Sequence, residues 1–496
     1  MFARTVSLHD AIPQARAWRA ASILLIGGIF CFYVATIRDG YVWDDDQAQY
    51  ILHARNIVDG RAYKDTGYVF NPDYATLGPV AYPPGFPLLL APIWATRGPD
   101  LHAMKLLEVA CFAAWLAAIY AYFSRESGEP AALLVIAVMG LCPLFWDFKD
   151  FIGSDLPFAA VLFLTMVFVQ RVYARDNLPS GPGAAVLVAL SVTAACSIRS
   201  VGALLIPCVF IYDVLRNRRL SRFAAQACTL ACVFCLAMSL YMKSAGGTLS
   251  LFRFNFPTII GAAKAYTGMS TGLWQAGGLR PIAWLLEALA AASAAWMVYR
   301  RVKQRERLSV LEVFSILYIS VLLVYAPREV RFLFPVFPFY VAFVLCGVKA
   351  FVSLLPSRVA RLLTVSAVVA LLAYADVAQY RTREWGVIRW GCTDPEFLRS
   401  LAFIRTQTAP TDVILFRKPR LIPLLAGRRA MTYAHRPGLG GFVHAARPRY
   451  VLAPFRSAGT FASDAEFLWP FLRSLGANGQ LVYSNGGYAV YRVLAW

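Results

Sequence analysis

Apolar segments long enough to cross a membrane recur along most of this chain, and they constrain its fold more than any other feature. A transmembrane helix needs about 20 consecutive, mainly apolar residues. Hydrophobic residues make up 59% of the sequence and charged residues 15%, against about 45–50% and about 25% in soluble domains. The predicted spans are 20–37, 102–123, 131–147, 156–173, 183–198, 200–215, 223–242, 281–299, 309–326, 332–351 and 359–377. We therefore expect an all-α polytopic membrane protein with about 11 transmembrane helices.

The basic residues predict the orientation of these spans. Lysine and arginine are enriched in short cytoplasmic loops, and basic clusters lie at 216–222, 300–307 and 358–361. With an odd number of spans, all three clusters fall on the side of the N-terminus, which we expect to be cytoplasmic. The net charge of +20 is therefore explained by a membrane face and does not indicate nucleic-acid binding. The first apolar segment follows basic residues and is predicted to remain as a signal anchor.

The opposite side of the membrane receives the long segment 38–101, the loop 149–155, the loop 243–280 and everything after about residue 378. After residue 380 the composition becomes that of a soluble domain. Strands are predicted at 413–416, 450–455 and 481–493, the last as a hairpin, and helices at 395–407 and 465–475. We expect a transmembrane domain over 1–378 and a small α/β domain over 379–496 on the outer side.

Three adjacent carboxylates open the first outer segment. Asp44, Asp45 and Asp46 precede apolar residues at helical spacing, and Gly60 follows them, so the pattern predicts a short amphipathic helix. Three like charges side by side need a cation, a shared proton or a solvated helix end. Helix capping and the helix dipole explain one or two acids at such a position and leave the third unexplained.

Other charged residues fall on the same predicted side. Asp155 stands at the mouth of the fourth span and Arg199 at a later turn, while Arg328 and Arg331 lie between two spans. Lys264 lies in the large outer loop. Basic residues here depart from the positive-inside rule, which makes them candidates for binding an anion.

The order of these parts resembles the GT-C superfamily of membrane glycosyltransferases. The parts are a first span, an acidic segment ending in Tyr50, YPPG at 82–85, SDLPF at 154–158, an arginine at a later turn, RFLFP at 331–335 and an outer α/β tail. The chain looks most like the bacterial branch that includes protein O-mannosyltransferases and the lipid A aminoarabinose transferase. The match covers residues 20–350 in arrangement. Each motif is short, and their order carries the resemblance.

The resemblance implies a glycosyltransferase of the bacterial inner membrane. Such an enzyme takes a hexosyl or pentosyl group from a polyprenyl-phosphate donor and transfers it to a periplasmic acceptor, which is a cell-envelope lipid, a glycan or a protein. The implied partners are therefore the donor, that acceptor and membrane lipids. The N-terminus is expected in the cytoplasm and the α/β domain in the periplasm.

The resemblance also carries roles for the acids. The acidic pair of the family stands four and three positions before the tyrosine, which here means Asp46 and Gln47. The second acid is missing, so the general base stays open between Asp46 and Asp45. Asp155 matches the acid of the second exposed loop and completes the predicted catalytic set. A divalent metal ion held by Asp46 and Asp155 is a further candidate.

Basic residues are expected near the donor phosphate, because guanidinium suits bidentate contact with phosphate. The resemblance assigns this role to Arg199, Arg328 and Arg331, and Lys264 is an additional candidate. Four residues are predicted to shape the loop beneath the carboxylates. They are Tyr50, Tyr82, Pro83 and Pro84.

Simpler interpretations stand beside these roles. Arg199 and Arg331 are also suited to contacts with lipid headgroups, Asp155 to capping the fourth span, and Lys264 to a solvated loop. A transporter or flippase of lipid-linked sugars is an alternative function, which predicts ionisable residues near span centres and two related halves. A non-catalytic scaffold is a second alternative, suggested by the missing acid at Gln47.

Overall fold

A computed structural model describes residues 8–174, 182–242, 251–272, 274, 280–304 and 307–496. Helices dominate the first four fifths of the chain. They are α1 (Leu8–Ala35), α2 (Asp46–Val58), α3 (Gly85–Arg97), α4 (Leu101–Glu126), α5 (Glu129–Leu141), α6 (Pro143–Phe148), α7 (Asp155–Tyr173), α8 (Pro182–Ile198), α9 (Leu205–Asn217), α10 (Arg222–Met242), α11 (Phe256–Gly272), α12 (Arg280–Gln304), α13 (Val310–Val324), α14 (Phe337–Ser353) and α15 (Arg358–Arg381). Part of the predicted loop 243–280 and part of the basic cluster 300–307 lie outside the described residues.

The prediction of a mainly helical membrane protein is confirmed, but the count of eleven spans is not. Six described helices are long and apolar enough to cross a membrane: Arg16–Ala35, Leu101–Glu126, Asp155–Tyr173, Ser200–Asn217, Arg222–Met242 and Arg358–Arg381. Five further apolar helical stretches are 10–17 residues long, the third of them within α12: Glu129–Leu141, Pro182–Ile198, Ala283–Trp296, Val310–Val324 and Phe337–Ser353. Every predicted span thus contains an apolar helix, although five of these apolar stretches are shorter than the about 20 residues that a transmembrane helix needs.

Proline explains why two predicted spans are shorter than expected. The segment 131–147 breaks at Cys142, which is extended, and α6 restarts at Pro143. In the segment 332–351, a 3-10 turn occupies Val330–Leu333 and α14 begins only at Phe337. Proline lacks a backbone N–H and clashes with the preceding turn, so it is accommodated at the start of a helix and not in its interior.

A buried cluster of charges joins the end of α1 to α4 and to the turn after α6. Lys105 is 1% exposed, and its ammonium donates to the carbonyls of Arg38 at 2.5 Å and Gly40 at 2.7 Å. Asp150 accepts from Arg38 Nε at 2.6 Å and from Lys149 Nζ at 2.7 Å. Buried charges need such partners, and the cluster fixes the turn that leads into α7.

The chain ends in a five-stranded mixed sheet, which confirms that the C-terminal part contains a small sheet. The strands are β1 (Val413–Leu415), β2 (Arg429–Met431), β3 (Tyr450–Pro454), β4 (Gly479–Ser484) and β5 (Tyr488–Val493), in the order β2-β1-β3-β5-β4. The helices of this part are α16 (Pro395–Gln407), α17 (Leu421–Ala426), α18 (Gly441–Ala446) and α19 (Trp469–Ser474). β1 is parallel to β2 and β3, whereas β5 is antiparallel to β3 and β4. The sequence analysis missed β2, which is three residues long and has no β-branched residue.

The segment 38–101 is joined to this sheet. The backbone N–H of Val69 donates to the carbonyl of Ala430 at 2.8 Å, and the buried amide of Asn71 donates to the carbonyl of Thr432 at 2.8 Å. The ring of Trp43 packs edge-on against aromatic rings of the sheet region, those of Phe397, Phe416 and Phe461. The acidic segment and the sheet region are therefore packed together, and this packing positions the site described next.

Candidate active site

The three adjacent acids lie at the start of α2, and each has a different environment. Asp44 caps the helix, because its Oδ2 accepts from the backbone N–H of Gln47 at 3.0 Å. The apolar face of α2 packs against α3 and α17, and Gly60 follows the helix with a φ of +64°. The capping interpretation thus explains Asp44 and leaves Asp45 and Asp46 for other contacts.

Asp45 faces the sheet domain. Its side chain is 4% exposed, and its Oδ1 accepts from the backbone N–H of Arg420 at 3.0 Å. Its Oδ2 lies 3.5 Å from Nε of the same arginine. Burial raises the pKa of Asp45 to about 6, although the positive charge of Arg420 opposes the shift. Asp45 is therefore a buried partner of Arg420 with little access from solvent.

Asp46 is the more accessible acid, with 23% of its side chain exposed. Its Oδ1 accepts from the Tyr82 hydroxyl at 2.7 Å and from Arg420 Nη1 at 3.0 Å. Its Oδ2 accepts from Arg331 Nη2 at 3.2 Å. Burial alone raises the pKa of Asp46, but Arg331 and Arg420 outweigh it and lower the pKa to about 2. The carboxylate is therefore ionised at neutral pH.

Asp155 begins α7 and does not cap it. The N-cap residue is Ser154, so the capping interpretation of Asp155 is wrong. Its Oδ1 accepts from Arg199 Nη1, and its Oδ2 lies 3.6 Å from Arg331 Nη1. The Ser154 hydroxyl shares a hydrogen bond of 2.9 Å with the hydroxyl of Tyr50. Asp155 is thus held between two guanidinium groups.

Acids and guanidinium groups alternate through the site and form one connected network. Its members come from α2, the start of α7, the turn before α9, the turn before α14 and the loop before α17. In order along the network they are Arg199, Asp155, Arg331, Asp46, Arg420 and Asp45. Each acid therefore has at least one positively charged partner, and segments far apart in sequence meet at one place.

Arg420 is the member that the sequence analysis missed. It is fully buried, and its Nη1 and Nη2 donate to the Tyr82 hydroxyl at 2.8 Å and the Pro79 carbonyl at 3.2 Å. Its guanidinium lies 4.8 Å from the ring centre of Tyr68. The sequence does contain a signal, since RKPR at 417–420 directly follows a predicted strand, but many basic residues in this domain look alike.

Gly78 lies directly beside Arg420 and Tyr82. Gly78 has a φ of +103°, and a Cβ there would lie 2.8 Å from the Tyr82 hydroxyl and 3.1 Å from Arg420 Nη2. Both the backbone conformation and the close approach therefore favour a residue without a side chain.

Two predicted phosphate-binding residues lie apart from the network. Arg328 donates to the carbonyl of Thr258 at 3.3 Å and packs against Gly261 of α11. Lys264 is exposed on α11 and makes no hydrogen bond or ion pair to any residue in the described part of the chain. The structure therefore brings Arg199 and Arg331 to the acids, but neither Arg328 nor Lys264.

The predicted loop residues border the site. Tyr82 contacts Asp46 directly, and the ring of Tyr50 lies 4.9 Å from that of Tyr82. Pro84 is the N-cap of α3, and Pro83 precedes it. Tyr82 is thus a hydrogen-bond partner of the acid as well as part of the loop.

The acids are poorly arranged for a divalent metal ion. Mg²⁺ takes about six oxygen ligands at about 2.0–2.1 Å, whereas both oxygens of Asp46 already accept hydrogen bonds. Arg331 lies between Asp46 and Asp155. No group of three or more histidine, cysteine, aspartate or glutamate side chains among the described residues is arranged to hold a metal. The residues therefore do not fit the predicted ion.

Comparison with solved structures reveals the fold, whereas no protein-family model and no curated protein sequence matches the chain. ArnT from Cupriavidus metallidurans, bound to undecaprenyl phosphate, superposes with a TM-score of 0.58 and 13% identity, covering 96% of this chain and 98% of that one. The apo oligosaccharyltransferase of Archaeoglobus fulgidus gives 0.61 and 12%, covering 96% of this chain and 74% of the other.

The same archaeal protein, AglB, in complex with an inhibitory peptide and a dolichol-phosphate gives a TM-score of 0.58 at 13% identity, covering 95% of this chain and 74% of the other. ArnT and AglB are both members of the GT-C superfamily. The resemblance predicted from the sequence is therefore confirmed for the fold, since the chain shares the fold of these two proteins over nearly its whole length.

We expect Arg420→Met to destabilise the protein strongly, because it leaves Asp45 buried without its positive partner. Breaking a buried ion pair in this way costs about 3–5 kcal/mol. The measurement is thermal unfolding of the purified protein in detergent. The control is Arg429→Met, which changes an exposed arginine on β2 and should leave the melting temperature close to wild type. Equal melting temperatures for the two variants would contradict the structural role of Arg420.

Proposed function

We propose that this protein is a membrane glycosyltransferase that uses a polyprenyl-phosphate-linked sugar. The observation that carries the proposal is the network in which Asp46 and Asp155 share Arg331 at one end of a bundle of apolar helices. An ionised acid beside fixed guanidinium groups suits a reaction that removes a proton at one atom and releases a phosphate at another. The GT-C architecture supports it, since ArnT was solved with undecaprenyl phosphate and AglB with a dolichol-phosphate.

Asp46 is the general base in this proposal. Its side chain is 23% exposed, whereas that of Asp45 is 4% exposed and directed at Arg420. An acceptor hydroxyl can reach only the exposed acid, because a base must lie within hydrogen-bond distance of the proton that it removes. Asp45 then acts as a positioning residue that holds Arg420 against Asp46.

The low pKa of Asp46 implies that the donor binds before Asp46 can act as a base. A base works best when its pKa is near the working pH, and a pKa of about 2 makes Asp46 a weak base while both arginines contact it. A donor phosphate that draws Arg331 toward itself would weaken one of those contacts and raise the pKa of Asp46. Donor binding thereby activates the base, and the acid is held unreactive before the donor arrives.

Arg199 and Arg331 stabilise the departing phosphate in this proposal. When the anomeric C–O bond breaks, the lipid phosphate gains negative charge, and cations fixed nearby stabilise that state more than the ground state. Both side chains remain partly exposed, at 23% for Arg199 and 15% for Arg331, so both remain accessible to a ligand. Arg328 and Lys264 stay predictions for an outer part of the donor site.

The sugar, the acceptor and the membrane are assigned from the resemblance to the GT-C superfamily. The transferred group is a hexose or pentose, the acceptor is a periplasmic lipid, glycan or protein, and the membrane is the bacterial inner membrane. The amino terminus then faces the cytoplasm, and the sheet domain, which supplies Arg420, faces the periplasm with the rest of the site.

One feature of the helices bears on the transporter alternative. Two acidic residues lie within helices, Glu287 in α12 and Asp376 in α15, and the transporter alternative predicts ionisable residues in such positions. Glu287 accepts hydrogen bonds from the hydroxyls of Ser270 at 3.0 Å and Tyr340 at 2.5 Å. Since its carboxylate is paired and lies outside the acid–arginine network, we retain glycosyl transfer as the function.

The scaffold alternative depended on the missing acid at Gln47. Gln47 is 1% exposed, and its amide lies 3.4 Å from the sulfur of Cys392. Asp45, Asp46 and Asp155 are all in the network. The departure from the family pattern at Gln47 therefore leaves the proposed site with three acids.

We expect Asp46→Asn to abolish glycosyl transfer without loss of folding, because the amide keeps the shape of the side chain and cannot accept the proton. The measurement is mass spectrometry of cell-envelope glycans in cells that carry the variant as their only copy. Asp59→Asn is the matched control, because Asp59 lies at the other, exposed end of the same helix. Normal glycans in well-expressed Asp46→Asn cells would contradict the role of Asp46.

We expect Arg331→Gln to move the acid limb of the kcat/KM profile to higher pH. The substitution removes a positive charge that lowers the pKa of Asp46, so the base becomes protonated at higher pH than in the wild type. The limb reports the pKa of the base in the free enzyme. Arg331→Lys retains the charge and should shift the limb less. If the limb of Arg331→Gln matched that of the wild type, Asp46 would not be the base.

A further inference from the structure

The positive charge between Asp46 and Asp155 belongs to the side chain of Arg331. Arg331 Nη2 lies 3.2 Å from Asp46 Oδ2, and Arg331 Nη1 lies 3.6 Å from Asp155 Oδ2. One planar guanidinium thus faces both carboxylates, each with a different nitrogen. This is the position that a bridging divalent ion would need. We infer that Arg331 replaces such an ion, so that the acid pair works without a bound metal. The inference rests on the proposed function for its chemical meaning, but not for its test.

The carboxylate oxygens leave little room for a metal beside the guanidinium. Asp46 Oδ1 accepts from Tyr82 and from Arg420, and Oδ2 accepts from Arg331. Asp155 Oδ1 accepts from Arg199. Only Asp155 Oδ2 has no hydrogen-bond donor within range, and it faces Arg331. A single free carboxylate oxygen next to a guanidinium is a poor metal ligand, because hard divalent ions need several oxygens at short distance.

Several contacts hold Arg331 in this position. Its Nε donates to Glu329 at 2.6 Å, and its guanidinium lies 5.4 Å from the ring centre of Phe151 and 5.7 Å from that of Phe332. Its backbone belongs to the short 3-10 turn Val330–Leu333. An arginine side chain remains protonated at every relevant pH. The cation is therefore permanent and oriented by its neighbours.

A guanidinium and a metal ion would bind a phosphate in different ways. It offers hydrogen-bond donors and a fixed charge to a phosphate, but it has no coordination position for a water or a substrate oxygen. Any phosphate bound here is therefore recognised through N–H groups. The same guanidinium then contacts both acids before the phosphate arrives, which couples phosphate binding to the state of Asp46.

The test is direct binding of Mn²⁺ to the purified full-length protein in nanodiscs, measured by the loss of the electron paramagnetic resonance signal of free Mn²⁺. We expect no saturable Mn²⁺ site in the wild type that depends on Asp155. We expect Arg331→Ala to gain one saturable site per chain, because Asp46 Oδ2 and Asp155 Oδ2 then have no cation between them. Adding Asp155→Asn to that variant should remove the new site.

Two further variants act as controls. Arg331→Lys keeps a positive charge between the acids and should gain no site. Arg328→Ala removes an arginine three residues earlier that contacts α11 instead of the acids, and it should bind Mn²⁺ no better than the wild type. Circular dichroism melting establishes that each variant is folded, and Arg331→Gln replaces Arg331→Ala if the latter does not fold.

The inference would be overturned if the wild type bound one Mn²⁺ per chain and lost it with Asp155→Asn. It would also be overturned if a folded Arg331→Ala or Arg331→Gln variant bound no more Mn²⁺ than the wild type. Neither result depends on glycosyl transfer. Unchanged glycans in Asp46→Asn cells would count against the proposed function alone, so the two failures are distinguishable.

Discussion

Charge compensation among largely buried side chains is the constraint on which this structure depends. An ionised side chain that leaves water without a partner is strongly destabilising, and the network meets this demand by alternating acids with guanidinium groups. Asp46 is central, because Arg331 and Arg420 reach it from two separate segments later in the chain. The same contacts that allow the acid to be buried also lower its pKa to about 2. The contacts with Arg331 and Arg420 therefore both stabilise the Asp46 carboxylate and keep it a weak base.

The sheet domain is part of the site and not an appendage to it. Arg420 contacts Asp45 and Asp46 from the loop before α17. In addition, the backbone of the segment 38–101 pairs with β2 through Val69. The aromatic packing around Trp43 lies between the two parts. A displacement of the sheet domain would therefore change the charge around Asp46, which gives this domain a direct route of influence on the chemistry proposed above.

Features set by neighbouring residues could be predicted from the sequence, whereas contacts between residues far apart in the chain could not. Hydropathy located an apolar helix in every predicted span, and helical periodicity located α2, because both are properties of neighbouring residues. Arg420 could not be chosen among the sixteen arginines and lysines between residues 381 and 492, since nothing local distinguishes it. Arg328 and Arg331 looked equivalent, yet only Arg331 contacts the acids. Arg331 lies on the 3-10 turn Val330–Leu333, whereas Arg328 lies in the irregular segment before it, and their side chains make different contacts.

A double-mutant cycle between Asp46→Asn and Arg331→Gln tests the central claim most directly. The free energy of unfolding of the four proteins, measured by denaturant titration in detergent, should show a coupling of at least about 1 kcal/mol, as contacting charged groups do. The parallel cycle with Arg328→Gln should be additive within about 0.5 kcal/mol. An Arg331 cycle that is equally additive would contradict the network, because it would mean that Asp46 and Arg331 do not interact in the folded protein.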